Sequence, residues 1–234
     1  MKKTLSAAVL AASLSAAPSA NAVDFDVQIT NLSNAIYFTP FLVAAHPAGS
    51  NLFLTGQPAS ANLQAMAEGG DITGLVADAT ALGATIVENP AAGLLAPASS
   101  IQFNMNTDGT SNDRLSAVAM LLPTNDAFAG LNAIEVPTTP GTYVFNVPAY
   151  DAGTEANDEL ITGGGAPGAA GIPADPGGLA GTGGTGAAAA DANPNVHIHR
   201  GNLGDTDAAA GTSDLDSRVH RWLNPVIRVT ITVN

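Results

Sequence analysis

From Pro225 to Val233 the chain alternates, with Val226, Arg228, Thr230 and Thr232 set against Ile227, Val229, Ile231 and Val233. A period of two places successive side chains on opposite faces of a strand, so this run reads as a β-strand with one wet and one buried face. Phe25–Thr30 (F-D-V-Q-I-T) repeats the pattern. Further strand-like runs cover Ser99–Met105, Leu115–Leu122, Gly141–Val147 and Val196–His199. Ala35–Ala45 is a more continuously apolar run broken by Pro40, which predicts an edge position or a bulge there. Short strands separated by turn residues, with no strand–helix–strand alternation, predict an all-β fold: an antiparallel β-sandwich.

Two short helices accompany the strands. Ser60 is an N-cap for a helix that places Leu63, Met66 and Ala67 on one face and stops at Gly69-Gly70. Asp71–Leu82 offers a second helix, with Ile72, Leu75, Val76 and Ala79 inward. Both read as packing elements.

Residues 1–22 have the layout of an export signal. Lys2 and Lys3 precede an apolar run from Leu5 to Ala17, and Ala20-Asn21-Ala22 forms an A-x-A cleavage site. Cleavage there predicts an exported protein, periplasmic or extracellular, that begins at Val23. No later apolar run reaches the ~20 residues of a membrane helix. Residues 23–234 suit a single domain. Within it, residues 162–195 hold eleven of the 25 glycines and almost no large apolar side chain. A segment of that kind buries too little surface to offset its ordering entropy, which predicts a long, flexible, disordered loop between strands.

Both lysines lie in the predicted signal, so the remainder carries five arginines against 20 acidic residues, formally −15. Nucleic-acid phosphates need a basic face, and this chain has none to offer. The same charge disfavours anionic membranes and acidic polymers unless a cation intervenes. With no cysteine, disulfides and thiol chemistry are excluded, and a metal is the remaining form of cross-link.

The acids are not spread evenly. The run Arg114–Leu122 ends at Pro123 and is followed by Asp126. The run ending at Val147-Pro148 is followed by Asp151, Glu155, Asp158 and Glu159, with no basic residue among them. Carboxylates held close together repel, and a calcium ion, which prefers six to eight oxygen ligands, relieves that repulsion. Asp126 and the Asp151/Glu155 pair suit such a site if the strands before them are neighbours and the Asn125–Pro140 connection crosses over between them. The competing reading is a set of solvated surface acids. An EF-hand is excluded, since its D-x-D-x-D-G spacing is absent.

Histidine supplies a rival site. His197 and His199, two apart in V-H-I-H-R, share one strand face and, with His220 or His46, could bind copper or zinc. The plainer reading is a polar strand face that happens to carry two histidines. Enzymatic readings lack support: there is no G-x-S-x-G elbow, no H-E-x-x-H and no phosphate-binding glycine motif. Asp126 and Asp151 have the residue types of a glycosidase pair, yet Trp222 is the lone tryptophan available as a sugar platform.

The phrases A-M-L-L-P-T-N-D-A-F-A-G-L and P-A-Y-D-A-G-T-E-A-N-D-E resemble the spondin N-terminal domain in its bacterial secreted form. The resemblance runs from about Phe25 to the C-terminus, through Tyr37–Leu42, Gly56–Ser60 and H-R-W-L-N-P-V. It implies an antiparallel β-sandwich with a calcium ion held by Asp126, Asp151 and Glu155. The Ala149 carbonyl is a further implied ligand, and Asn125, Asn157 and Asp158 are neighbours. It also implies a cell-surface or extracellular binding or adhesion module, with a protein or carbohydrate partner. The chain departs from the family in carrying Glu155 where aspartate is familiar and Ala127 where an aromatic residue often follows the loop aspartate. It also lacks the basic, disulfide-bonded surface of animal relatives, so glycosaminoglycan binding is not implied.

Overall fold

The computed structural model describes residues 23–190 and 192–234. The export signal expected at residues 1–22 lies outside them. Eleven strands and two helices follow in the order β1 (Asp24–Asn31), β2 (Tyr37–Phe38), β3 (Leu42–His46), α1 (Ala61–Gly69), α2 (Thr73–Ala81), β4 (Thr85–Glu88), β5 (Ser100–Asn106), β6 (Arg114–Leu122), β7 (Ala127–Glu135), β8 (Gly141–Val147), β9 (Ala149–Asp151), β10 (His197–Ile198) and β11 (Ile227–Val233). A four-stranded sheet runs β5-β1-β11-β8. A seven-stranded sheet runs β10-β9-β7-β6-β3-β4, with β2 also paired to β6. The strand pairings are antiparallel, as the short alternating runs require.

The two sheets bury different amounts of surface, and their sequences differ for that reason. Phe25, Val27 and Ile29 of β1 join Val229 and Ile231 of β11 in a core against Val43, Ala117, Ala119, Leu121 and Ala129 of the larger sheet. The other face of the four-stranded sheet meets water, so β1 and β11 alternate. The larger sheet carries α1 and α2 on its second face: Leu63, Met66, Leu75 and Ala79 pack on Leu42, Ala44, Val118, Met120 and Phe128. Strands buried on both sides have no reason to alternate, and β3 and β6 are apolar almost throughout, broken by Ser116 and with His46 and Arg114 at their ends. Pro40 falls in the break between β2 and β3. β3 is not an edge strand, since it is paired with β4 on one side and β6 on the other.

Helix α1 has the expected caps. The Ser60 hydroxyl accepts the Leu63 N–H at 3.1 Å, and Gly70 adopts the left-handed conformation (φ 71°) at the other end. Helix α2 starts two residues later than expected, at Thr73, whose N–H is bonded to the Asp71 carboxylate at 2.9 Å.

The Asn125–Pro140 span is not a crossover connection. It contains β7, whose Ala127, Ala129 and Gly130 lack the β-branched signature that would mark a strand. Small residues are required there: a Cβ on Gly130 would lie 2.6 Å from the Phe53 ring and 3.0 Å from that of Tyr150. Residues 162–190 form no helix or named strand. The segment nevertheless has defined attachments, with Ile172 fully buried and its N–H bonded to the Leu160 carbonyl at 2.7 Å.

Candidate metal centre

The acids reach one place by a route different from the one the sequence suggests. β6 and β8 belong to different sheets, so they do not deliver the two loops side by side. Strand β7 begins directly after Asp126 and pairs with β9, with Ala127 opposite Asp151 and Phe128 opposite Tyr150. Across the next ladder Asp151 stands opposite His197. The Pro123–Asp126 loop and the loop after Asp151 therefore meet at one end of the larger sheet.

Asp126 is fully buried, and Asp151 is 2% exposed. One Asp126 oxygen, Oδ2, accepts the Thr154 N–H at 2.9 Å, the Glu155 N–H at 3.2 Å and the Thr154 hydroxyl at 3.2 Å. The other, Oδ1, is buried with no hydrogen-bond partner. Burial, reinforced by the neighbouring Asp151 charge, pushes the Asp126 carboxyl up to about 7 despite the amide bonds that oppose the rise. Glu155 repeats the pattern. Its Oε1 accepts the Gly171 N–H, its Oε2 is buried without a partner, and burial raises it to about 8, with Glu68, Asp126 and Asp158 adding repulsion. Among the described residues, no basic side chain offsets the repulsion at either carboxyl.

Asp151 is engaged on both oxygens, by the Gly153 N–H at 2.8 Å and by the Asn157 side-chain amide at 2.8 Å. Asn157 is held in turn by His199 (Nε2···Oδ1 3.0 Å), whose Nδ1 accepts the Gly201 N–H at 2.9 Å. Since a backbone amide can only donate, the His199 proton sits on Nε2 and donates to Asn157. Burial holds this imidazole neutral, down to about 3. Asn125 ties the two loops together, donating to Asp158 at 2.7 Å and accepting the Glu159 N–H at 3.1 Å. The Ala149 carbonyl accepts the His199 N–H at 3.0 Å.

The histidines divide. His197 and His199 both approach Asp151 Oδ2, at 3.8 and 3.9 Å. His197 donates Nδ1–H to the Asn195 carbonyl at 2.8 Å and turns Nε2 toward Asp151, whereas both nitrogens of His199 are committed. His46 bonds Ser116 and Ser50, and His220 lies beside Asp175 and Asp216, so neither joins the pair. Among the described residues, no group of three or more His, Asp or Glu side chains is gathered tightly enough to hold an ion by itself.

The sequence profile of the Spondin_N family matches residues 24–159, more than half of the chain. This chain belongs to the Spondin_N family. No curated protein matches it. The Spondin_N match begins with β1 and ends at Glu159, so Asp126, Asp151 and Glu155 lie inside it. It stops short of the C-terminal segment to which the resemblance was read, and His197, His199 and the glycine-rich segment lie beyond it. Three contributors carry no mark of the site in the sequence pattern: Thr154, Gly171 and Glu68. Thr154 is visible in Y-D-A-G-T, but the two hydrogen bonds that its N–H and hydroxyl donate to Asp126 are not. Gly171 and the buried Glu68 of α1 come from segments that gave no hint of proximity.

Proposed function

We propose that the Asp126 and Asp151–Glu155 loops hold a calcium ion in an exported Spondin_N protein whose role is binding or adhesion rather than catalysis. The observation that carries this reading is the pair of buried carboxylate oxygens without partners, Asp126 Oδ1 and Glu155 Oε2. A buried carboxylate oxygen left unpaired costs several kcal/mol, and a hard cation is the partner that offsets this for two at once. The side chains alone do not complete a calcium shell, so backbone carbonyls and water would supply the remainder. Asp126 and Glu155 would be direct ligands. Asp151, held by Asn157 and Gly153, would stand beside the ion and contribute its negative charge. The ion would join two loops at one end of a sandwich that has no disulfide. A partner outside the cytoplasm, protein or carbohydrate, is part of the same proposal and rests on family membership.

Melting temperature in calcium against chelator tests it, because an ion that binds only the folded state must stabilise that state. We expect a rise with calcium that Asp126→Asn abolishes. An unchanged melting temperature in saturating calcium would defeat the reading.

One observation favours a second reading, in which a zinc or copper ion binds His197 Nε2 and Asp151 Oδ2. His197 Nε2 and Asp151 Oδ2 lie 3.8 Å apart, and the His197 Nδ1 bond to a carbonyl is the usual outer partner of a metal-ligating imidazole. Zinc uptake lost in His197→Ala and retained in Asp126→Asn would support it.

A further inference from the structure

The glycine-rich segment that follows the acidic loop crosses back over the end of α1 and is anchored on two carboxylates, the buried Glu68 and the half-buried Glu155. Gly168 donates its N–H to Glu68 Oε2 at 2.6 Å, while Glu68 Oε1 accepts the Gln64 side-chain amide at 2.8 Å. Gly171 donates its N–H to Glu155 Oε1. Just ahead of these points, at Gly165, the segment lies so close to the helix that a methyl group on Gly69 would overlap the Gly165 carbonyl. Ile172, fully buried, ends the crossing; its carbonyl accepts the N–H groups of Thr162 and Gly163 at 3.2 Å each.

Glu155 thus has two oxygens with two duties. Oε1 holds the segment, and Oε2 is the partnerless oxygen of the candidate ion site. We propose that calcium occupancy and closure of residues 163–172 over α1 are one linked equilibrium, with the Glu155 carboxylate as the shared part. The inference rests on the calcium reading. Its physical basis is charge. Closing the segment sets the Gly171 amide on Oε1 and leaves Oε2 enclosed without a partner, and a carboxylate oxygen enclosed in that way opposes closure. A cation at Oε2 removes that resistance and leaves Oε1 free to keep its bond to Gly171. An ion that binds the closed arrangement preferentially must shift the population toward it. Opening would expose Ile172 and the glycine-rich run, so the segment reports the ion at the protein surface.

Hydrogen exchange read by mass spectrometry at the Gly168, Gly171 and Ile172 amides tests this, with calcium binding measured by calorimetry on the same preparations. In wild type, calcium at about 100 times its Kd should slow exchange at these amides by up to about 100-fold relative to chelator. The β1 and β11 amides serve as an internal reference for folding. Glu155→Gln keeps an acceptor for Gly171 without the charge. It should protect the segment in chelator as well and lose the calcium effect. Gly69→Ala leaves every proposed ligand in place but displaces Gly165. It should speed exchange and weaken calcium binding by a similar factor. Calcium binding to wild type with unchanged exchange at the three amides would overturn the linkage and leave the calcium reading standing. An absence of calcium binding would overturn both.

Discussion

Ala127 stands opposite Asp151 in the β7–β9 ladder, and this one register places Asp126 beside the loop that starts at Asp151. The Thr154 and Glu155 amides then close on Asp126 Oδ2, and the remaining oxygen is left buried and unpaired. A shift of the ladder by one residue would turn Asp151 to the opposite face of the sheet and dismantle the site.

Removing the Asp126 charge should stabilise the ion-free protein. A rise from 3.8 to about 7 corresponds to roughly 4 kcal/mol of ionisation penalty, part of which is returned because asparagine puts an amide donor at the Oδ1 position. Urea denaturation in chelator at pH 8 should show Asp126→Asn more stable than wild type by about 1–3 kcal/mol. A loss of stability would mean that the charge already has a partner.

Stability against pH separates two buried groups of opposite sign. Asp126 and Glu155 have folded values above their ordinary ones, so the native state binds the extra protons. Their contribution is fully present below about 4 and is lost as pH rises toward 7 and 8. His199 is held down to about 3, so its contribution is present above 6.5 and is lost as pH falls toward 3. The two oppose each other below 6.5. Between 6.5 and 8 only the carboxylates act, and in chelator the melting temperature should fall across that window. Saturating calcium should flatten it. A melting temperature that climbs from 6.5 to 8 in chelator would contradict the raised carboxylates.

His199 acts as a support for Asn157 and, through it, for Asp151. It also packs at 5.1 Å between ring centres against Trp222, the one tryptophan. His199→Ala should cost about 2–4 kcal/mol through the cavity and the lost bonds to Asn157 and Gly201, and should shift the tryptophan emission. Chemical denaturation followed by fluorescence measures both. A variant as stable as wild type would show that the Asn157 orientation does not depend on the ring.

How much of this was legible in the chain depends on which faces are wet. β1 and β11 were legible because water on one face forces alternation. The apolar runs of β3 and β6 were legible as strands but not as strands covered twice. β7 was hidden because ring packing from Phe53 and Tyr150 demands Ala and Gly where strand propensity expects branched side chains. Asp126, Asp151 and Glu155 stood out as acids near strand ends, and the structure brings their loops together. The route was not legible, since β9 is three residues long and pairs with a strand that the composition concealed. Glu68 was out of reach, because nothing local to α1 indicates a distant glycine-rich segment crossing over it.

Gly130 offers a test of that packing. Gly130→Ala places a methyl group against the Phe53 and Tyr150 rings in a buried strand, and should cost about 1–3 kcal/mol in chemical denaturation with the calcium response retained. An unchanged midpoint would show that the rings move aside freely.

The central claim is that the partnerless oxygens of Asp126 and Glu155 belong to a cation site, and titration calorimetry with calcium at pH 8 measures it most directly. The account predicts one ion per chain, protons released on binding because the two carboxyls are partly protonated, and loss of binding in Asp126→Asn. No heat and no bound calcium at about 10 mM, tenfold above the weak end for extracellular calcium modules, would contradict it. Equal binding by Asp126→Asn would contradict it as well.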